Sequence, residues 1–305
     1  MASSSAENRG LLERTANIGH KLDMVPYHFN SDACRSLYHY TSLVGARGMV
    51  ESQTIWLSDH AAMNDITEFS HARERLYTLL RNRAVFAELP VRLAVTWMVS
   101  GFPEIIGLFI GSLTARRDDL NQWRSYADNG GGCVVEIDAR YLEQDAGVSV
   151  HTVIYDDETI DHCLTTGLRV LQEHFEEAPD DNEALVEMAR CLAASLFVMK
   201  HSGFADEREV RVSRMLVRGA DNGFVDVGGN RGEGIRTPSL EVRSRQGAFG
   251  ETSFLALPLR RDDGTSAITG VGLGPTMNLA NVTLATAFFA EHGIPVWRSE
   301  LPYRI

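Results

Sequence analysis

Residues Ile105–Leu113, with the sequence IIGLFIGSL, form a nearly continuous apolar run, and this stretch decides the expected fold. An apolar run bounded by polar residues is typical of a strand that is buried on both faces, so we predict a central strand here. Shorter β-type runs predict further strands around it. These lie at Arg35–Tyr40, Thr54–Leu57, Cys133–Ile137, Val210–Val217, Phe254–Leu259, Ile268–Gly272 and Pro295–Arg298.

Helical periodicity fills much of the remaining sequence. It predicts helices at Leu11–Asp23, at Ser42–Glu51, from Asp65 to about Arg81, through Ala84–Val99 with an interruption at Pro90, and at Asp118–Tyr126, Thr159–Glu177, Asn182–Lys200 and Thr276–His292. Because strands and helices are segregated rather than alternating, we expect an α+β fold with mixed, mainly antiparallel sheets and flanking helices. We expect residues 1–10 to be a disordered lead and residues 11–305 to form a single domain, with a helical insertion at about 157–201 and an exposed excursion at about 221–250.

Composition restricts the function classes. The chain of 305 residues has 41 acidic and 29 basic residues and a net charge of −12, which argues against a generally basic nucleic-acid-binding surface but leaves room for a local arginine-lined groove. No apolar run reaches the ~20 residues that a membrane span needs, so no membrane partner is expected. The four cysteines form no CxxC pair, and we expect free thiols, a cytoplasmic location and no metal site. P-loop, HExxH and GxSxG motifs are absent.

Two clusters of polar residues lie in the first quarter of the chain. In the strand that ends near Thr41, alternation directs His39 and Thr41 to one face and Tyr38 and Tyr40 to the other, so His39 and Thr41 form a pair of hydrogen-bonding groups. A histidine satisfied by a neighbouring carbonyl is the structural alternative. The second cluster surrounds Asn64, where helix capping by Asp65 and Glu68 is a sufficient explanation.

Two further clusters lie between residues 119 and 212. Gln122, Trp123, Arg124 and Tyr126 on one short helix offer an aromatic surface with amide and guanidinium donors, which suits stacking on a heteroaromatic ring. A buried Trp–Tyr core pair is the alternative. Glu207 and Glu209 open a strand, and their spacing of two predicts that both carboxylates face one side, where a cation or ligand hydroxyls must offset their repulsion. An edge strand with solvated charges is the alternative there.

Taken together, the clusters carry a family resemblance. The motifs in order are HYTS, WLSD, NDxxE, SLT, QWRxYxxxxxG, KHxGFxxExEVR, GP and SxxPYR. They lie at His39–Ser42, Trp56–Asp59, Asn64–Glu68, Ser112–Thr114, Gln122–Gly132, Lys200–Arg211, Gly274-Pro275 and Ser299–Arg304. In this order they resemble bacterial domain-of-unknown-function family 2971 from about Ser36 to the C-terminus.

A more distant resemblance suggests an activity. A strand with His-x-Thr, a central strand with Ser-x-Thr and a Glu-x-Glu at a late strand are similar to the ADP-ribosyltransferase superfamily, whose split β core is then the expected architecture. The resemblance implies that His39 and Thr41 grip NAD, that Ser112 and Thr114 support them, that Glu209 is the catalytic glutamate, and that Glu207 influences the acceptor. In the superfamily a tyrosine stacks on nicotinamide, and Trp56 and Tyr126 are the candidates for that role in this chain. The chain departs from the superfamily pattern by combining a histidine start with a Glu-x-Glu end.

The resulting hypothesis is an NAD-consuming enzyme, with NAD as substrate and no metal. Its expected catalytic residues are Glu209, Glu207 and His39, and its expected NAD-binding residues are His39, Tyr40, Thr41, Trp56, Asn64, Ser112, Thr114, Gln122, Trp123, Arg124, Tyr126 and Arg211. The hypothesis includes a protein or nucleic-acid acceptor, a role as a toxin or in phage defence, and an antitoxin or defence partner. One alternative is an NAD glycohydrolase. A second is a non-catalytic nucleotide- or nucleic-acid-binding module, in which Trp123, Arg124 and Tyr126 stack on a base while Arg208 and Arg211 contact phosphate. The third is that all four clusters have a purely structural role.

Overall fold

The computed structural model describes residues 28–60, 67–81, 88–219, 223–231, 235–247 and 250–303. The predicted lead at residues 1–10, the predicted helix at Leu11–Asp23 and the candidate residue Asn64 with the cap at Asp65 lie outside the described residues.

Eleven strands and seven α-helices form the described part of the chain. The strands are β1 (Ser36–Thr41), β2 (Thr54–Asp59), β3 (Ile106–Thr114), β4 (Cys133–Asp138), β5 (Ser149–Thr152), β6 (Glu209–Arg218), β7 (Phe224–Val225), β8 (Val242–Gly247), β9 (Gly250–Pro258), β10 (Ile268–Leu273) and β11 (Val296–Arg298). The α-helices are α1 (Leu43–Ser52), α2 (Thr67–Arg81), α3 (Leu89–Ile105), α4 (Leu120–Tyr126), α5 (Asp157–Glu177), α6 (Asn182–Ser195) and α7 (Leu279–Glu291).

Local sequence explains where several helices begin. The side chains of Ser42, Asp119, Asp156 and Asn278 each accept a hydrogen bond from a backbone amide in the first turn of the helix that follows. Pro90 does not interrupt a helix, as its position in Ala84–Val99 suggested, but lies at the start of α3. Proline is favoured there because the amides of the first turn have no partner within the helix.

All eleven strands belong to one open, mostly antiparallel sheet, in which only β10 and β11 pair in parallel among the named strands. The strand order β11-β10-β4-β1-β3-β2-β9-β8 is joined by β6, which pairs with the whole of β3 and also with β5 and β7. The predicted central strand is confirmed as β3. With the helices, this confirms a mixed fold of helices and a mainly antiparallel sheet.

One edge of β3 is divided between two strands. β6 occupies one edge from Ile106 to Thr114, so β1 and β2 share the other edge. β1 pairs with β3 at Thr114, whereas β2 pairs with it at Phe109 and Ile110. The residues of β3 between these pairings therefore lie where β1 and β2 diverge, and Ser112 is one of them.

The core lies in two main layers, one on each face of the sheet. One cluster contains Leu37, Phe109, Val212 and Phe289 and packs α1 and α7 against the sheet. The other contains Leu108, Ile110 and residues of α2, α3, α5 and α6, so the predicted helical insertion at 157–201 packs with earlier helices over one face. No helix in the described ranges combines the length and apolar character that a membrane crossing requires. All four cysteines are free thiols, as expected.

The predicted excursion at 221–250 is tied to the sheet rather than simply exposed. β8 within it pairs with β9 along six residues. Asp226 is 3% exposed, forms an ion pair with the buried Arg214 of β6 at 2.8 Å, and accepts a hydrogen bond from the backbone amide of Leu240. The polar composition of the segment therefore gave no indication that Asp226 is buried and holds the segment against β6.

Candidate functional site

Ser112 joins two of the predicted site residues. Its backbone carbonyl lies 3.1 Å from Nδ1 of His39 on β1, and its hydroxyl donates to Oε1 of Glu209 on β6 at 2.6 Å. His39, Ser112 and Glu209 are far apart in the sequence. The pairing of β3 with β6 brings Ser112 next to Glu209, and the ring of His39 reaches the Ser112 carbonyl at the place where β1 no longer pairs with β3. The ring of His39 supplies a donor to a carbonyl at the edge of β3 where β1 has turned away.

His39 is a neutral group with one nitrogen committed. Burial lowers its pKa, so the imidazole is uncharged at neutral pH. Because a carbonyl only accepts hydrogen bonds, Nδ1 carries the proton and Nε2 is left as an acceptor, without a partner among the described residues. The histidine bonded to a carbonyl, which the sequence offered as the structural alternative, is thus present and still leaves one nitrogen for a ligand hydroxyl.

Glu209 is buried, and three side chains hold its carboxylate. Arg211 forms a bidentate pair with it through Nε at 2.9 Å and Nη2 at 3.0 Å, and the Ser112 hydroxyl and Lys200 Nζ, the latter at 3.5 Å, complete the set. Burial by itself would raise the pKa of Glu209, but Arg211, Lys200 and the Ser112 hydroxyl outweigh it and hold the pKa below its ordinary value. The carboxylate is therefore a fixed anion at neutral pH.

Lys200 is the cation that offsets the two glutamates. Its Nζ lies 2.7 Å from Oε2 of Glu207 and 3.5 Å from Oε2 of Glu209, while the ring of Phe204 packs against it at 4.6 Å. Sequence reasoning called for a cation or ligand hydroxyls here, without identifying either. Two signals could have done so: Lys200 is one of only two lysines in the chain, and it opens the KHxGFxxExEVR motif.

Glu207 approaches Glu209 by a different route from the one predicted. It ends the 3₁₀ segment Ser202–Glu207 rather than opening the strand, and Arg208 between the glutamates has φ 45° and ψ 48°. The alternation of a regular strand therefore does not apply to the pair. A left-handed turn at Arg208 brings both carboxylates to Lys200 instead.

Helix α4 positions Glu207. Gln122 donates from Nε2 to the backbone carbonyl of Glu207 at 2.8 Å, and the hydroxyl of Tyr126 donates to Oε1 of Glu207 at 2.8 Å. Burial and the Glu207 carboxylate raise the pKa of the Tyr126 hydroxyl, so it keeps its proton. Gln122 and Tyr126 share a face of α4, as predicted, whereas Arg124 lies at an exposed position on the other side of this short helix.

Two predicted NAD-binding residues are core residues instead. Trp123 is fully buried, donates from Nε1 to Asp118 at 2.6 Å and packs edge-on against Tyr40 at 4.8 Å. The hydroxyl of Tyr40 donates to the carbonyl of Arg116 on the side of β1 opposite to His39. The aromatic surface is therefore not built from Trp123 and Tyr126, and the core-pair alternative holds for Trp123 with Tyr40 as its partner.

The other predicted residues differ in availability. Trp56 is 47% exposed and stacks on Phe254 at 4.4 Å, while Thr41 packs beside Gly45. Thr114 is buried and its hydroxyl donates to the carbonyl of Arg208 at 3.1 Å. Arg211 is 2% exposed and occupied by Glu209, so it is a buried partner of the carboxylate rather than a phosphate ligand.

Sequence reasoning missed two further neighbours. Tyr155 accepts a hydrogen bond from the backbone amide of Glu209 at 3.0 Å. His60, at the end of β2, packs edge-on against Phe197 at 4.5 Å, and burial together with the charge of Arg211 lowers its pKa to about 4. Neither residue belongs to a recognisable sequence motif, because Tyr155 follows β5 and His60 follows β2, which are far apart in the sequence. In the described residues no group of three or more metal-ligating side chains was found.

Comparison with protein-family models gives a match to part of the chain. Residues 122–212 match the model of a family described as "Protein of unknown function (DUF2971)". This confirms the resemblance to family 2971, over a shorter stretch than the sequence motifs suggested, and the matched stretch contains Gln122, Lys200, Glu207 and Glu209. No curated protein and no solved structure matches the chain.

Proposed function

Starting from the match to the DUF2971 family, we propose that this chain is an ADP-ribosyltransferase-like enzyme that cleaves the bond between nicotinamide and ribose in NAD. The observation that carries the proposal is the junction at Ser112. Its carbonyl binds His39 and its hydroxyl binds Glu209, so the three stretches that resemble the superfamily meet at one residue.

The chemistry needs an anion that does not take up a proton. Loss of nicotinamide develops an oxocarbenium cation at the ribose carbon, and a fixed carboxylate beside it stabilises that charge. The low pKa of Glu209, caused by Arg211, Lys200 and Ser112, keeps this carboxylate ionised at neutral pH. Nicotinamide leaves as a neutral molecule with the electron pair of the broken bond, so no acid is required.

His39 is suited to orient the substrate. Its Nδ1 proton is committed to the Ser112 carbonyl, which leaves Nε2 to accept a hydrogen bond from a ribose hydroxyl. Tyr126, 48% exposed, provides an aromatic ring next to Glu207, and it is the better placed of the two stacking candidates because its hydroxyl binds the carboxylate cluster directly. Trp56 packs instead against Phe254 of β9.

Measurement of nicotinamide release from NAD tests the proposal. We expect Glu209→Gln to lower the rate by ~10²–10³, as removal of a single preorganised electrostatic group does in other enzymes. Glu291→Gln, an exposed glutamate at the end of α7, is the matched control and should retain the full rate. Because Glu209→Gln leaves Arg211 without its carboxylate, His39→Gln is a second variant, for which we expect weaker NAD binding and slower release.

The products separate the two enzymatic outcomes. Label from the ADP-ribose part of NAD on an acceptor supports a transferase, and free ADP-ribose alone supports the glycohydrolase. If wild-type protein releases no nicotinamide with any protein or nucleic-acid acceptor, or if Glu209→Gln is as active as wild type, the enzymatic proposal is wrong. A non-catalytic binding module would then be the better description.

The biological role we propose is that of an effector, either a toxin or a phage-defence protein held in check by a partner. NAD depletion or modification of an essential acceptor would stop growth of the producing cell. Induced expression of wild type should therefore arrest growth, and Glu209→Gln should relieve the arrest. Equal growth of cells making either protein at equal levels would contradict the role without affecting the chemistry.

A further inference from the structure

Two exposed arginines lie at the same end of β3 and β6 as the carboxylate cluster. Arg116 and Arg208 are anchored at a common point, because the hydroxyl of Thr114 accepts from the backbone amide of Arg116 at 3.3 Å and donates to the backbone carbonyl of Arg208 at 3.1 Å. Both arginine residues are exposed, and neither guanidinium has an ion pair or hydrogen bond with any described residue. We call Arg116 and Arg208 the arginine rim.

Asp206, two residues before Arg208, is exposed, but two other nearby acidic side chains are engaged in local hydrogen bonds. Asp118 accepts hydrogen bonds from Trp123 Nε1 and the Ser299 hydroxyl, and Asp119 caps α4. The two glutamates of the cluster are neutralised by Lys200 and Arg211. In a chain with a net charge of −12, Arg116 and Arg208 therefore carry positive charge at the surface without an acidic partner among the described residues, unlike the exposed Arg243, which pairs with Glu241.

Arg208 also adopts a backbone conformation that its side chain does not favour. Its φ of 45° and ψ of 48° lie in the left-handed region, where glycine and asparagine are preferred. Strained residues of this kind persist where surrounding structure holds them, and they are concentrated at functional sites. Arg208 follows the 3₁₀ segment Ser202–Glu207 as Gln53 follows α1, and a glycine would adopt this conformation with less strain.

Two exposed aromatic rings also contact the cluster. Tyr126 is 48% exposed and bonded to Glu207, and Phe204 is 37% exposed and packed on Lys200. Arginines that contact phosphates beside aromatic rings that stack on bases are the usual elements of a surface that binds single-stranded nucleic acid. The bases of a duplex are stacked on one another and would not reach such rings.

We propose that the arginine rim binds the phosphates of a single-stranded nucleic acid, and that this nucleic acid is the acceptor of the ADP-ribosyl group. The second half of the inference rests on the proposed function, and the first half does not. In the transfer, the bond between the ribose carbon and nicotinamide breaks with its electron pair leaving on nicotinamide. A lone pair on a base nitrogen or oxygen of the acceptor forms the new bond, and the proton it carried goes to solvent.

Binding of a fluorescein-labelled single-stranded oligonucleotide, followed by anisotropy over a series of salt concentrations, tests the rim. For the double variant Arg116→Gln/Arg208→Gln we expect affinity about tenfold lower and a salt dependence of log K reduced by about 1.4, the value for two phosphate contacts on a single strand. Arg243→Gln, an exposed arginine with an acidic partner, is the matched control and should bind like wild type. Equal affinity and salt dependence of wild type and the double variant would overturn the inference.

Arg208→Gly distinguishes a binding role from a structural one. Relief of the left-handed strain should raise the midpoint of urea unfolding, while oligonucleotide affinity should fall. A lower midpoint together with unchanged affinity would show that the arginine serves the fold, and the inference would fail.

Transfer of a label from NAD separates this inference from the proposed function. Label on the oligonucleotide that is lost in the double variant, while nicotinamide release to water persists, supports both. Oligonucleotide binding without nicotinamide release would leave the rim intact and reject the enzyme. Nicotinamide release with label only on protein, and no oligonucleotide binding, would reject the nucleic-acid acceptor and keep the enzyme.

Discussion

Ser112 and Glu209 are linked by a hydrogen bond of 2.6 Å between neighbouring strands. In the register of β3 and β6, Ser112 lies opposite Arg211 and Glu209 lies opposite Thr114, so the bond is a diagonal contact between side chains on one face of the sheet. The same carboxylate accepts from Arg211, two residues further along β6. The sheet register therefore sets the position of the anion before any ligand is present.

Removal of the Ser112 hydroxyl should destabilise the protein. Ser112→Ala takes one donor from the buried carboxylate of Glu209, and we expect a loss of about 1–3 kcal/mol in the free energy of unfolding, measured by urea denaturation. Ser52→Ala removes an exposed serine hydroxyl at the end of α1 and should change stability by less than about 0.5 kcal/mol. Similar losses for both variants would show that the bond to Glu209 adds nothing specific.

Lys200 should be needed to keep the two glutamates together. Lys200→Met leaves Glu207 and Glu209 close to each other with one cation fewer, and we expect a loss of about 3–5 kcal/mol at neutral pH. Acidification should reduce this loss, because protonation of one carboxylate removes the repulsion. Lys200→Arg keeps the charge and should recover most of the stability. A loss that is independent of pH would mean that packing, not charge, is the role of Lys200.

Glu209 should contribute to the stability of the protein at neutral pH and not in acid. Its pKa in the folded protein is below the ordinary value of 4.5, so the folded state binds fewer protons than the unfolded state in this range. The contribution is complete above pH 4.5 and is lost as the pH falls through the folded pKa. Comparison of wild type and Glu209→Gln by urea denaturation from neutral pH downward should show curves that converge. A constant difference would contradict the lowered pKa.

His60 should stay neutral in mild acid. Burial and the charge of Arg211 lower its pKa to about 4 from 6.5. Between these values the unfolded state binds the proton and the folded state does not, so stability should fall as the pH decreases from 6.5 and stop falling below about 4. NMR titration of the ring, with the resonance assigned by its absence in His60→Gln, measures the pKa. A midpoint near 6.5 would contradict the effects of both burial and Arg211 on this ring.

The two tryptophans expected to bind NAD should lose different amounts of stability on substitution. Trp123→Phe removes buried volume and the hydrogen bond to Asp118, so we expect a loss of about 2–4 kcal/mol in stability. Trp56→Phe changes a half-exposed ring and should cost less than about 1 kcal/mol. Urea denaturation measures both. If the two losses were equal, Trp123 would not be the core residue that its burial indicates.

Much of the fold follows from local patterns. The apolar run at 105–113 is β3 and the run at Cys133–Ile137 is β4, because a buried strand needs apolar side chains wherever it lies. Polar composition was a poor guide to the segment at 221–250, since one buried pair between Asp226 and Arg214 anchors it. Periodicity describes faces of single elements, and ion pairs between elements leave no periodic trace.

The candidate site divides in the same way. The sequence predicted His39, Glu207 and Glu209 as candidate site residues at strand ends, the superfamily resemblance added Ser112, and a cation or ligand hydroxyls had to offset the repulsion between the glutamates. Only the tertiary structure decided that a cation, Lys200, contacts both glutamates, that Trp123 belongs to the core, and that a left-handed turn at Arg208 joins the two glutamates. The physical reason is that side-chain type and strand alternation are local properties of the sequence. The neighbours of a charged group depend instead on distant residues, through which strands pair and where β1 and β2 diverge from β3.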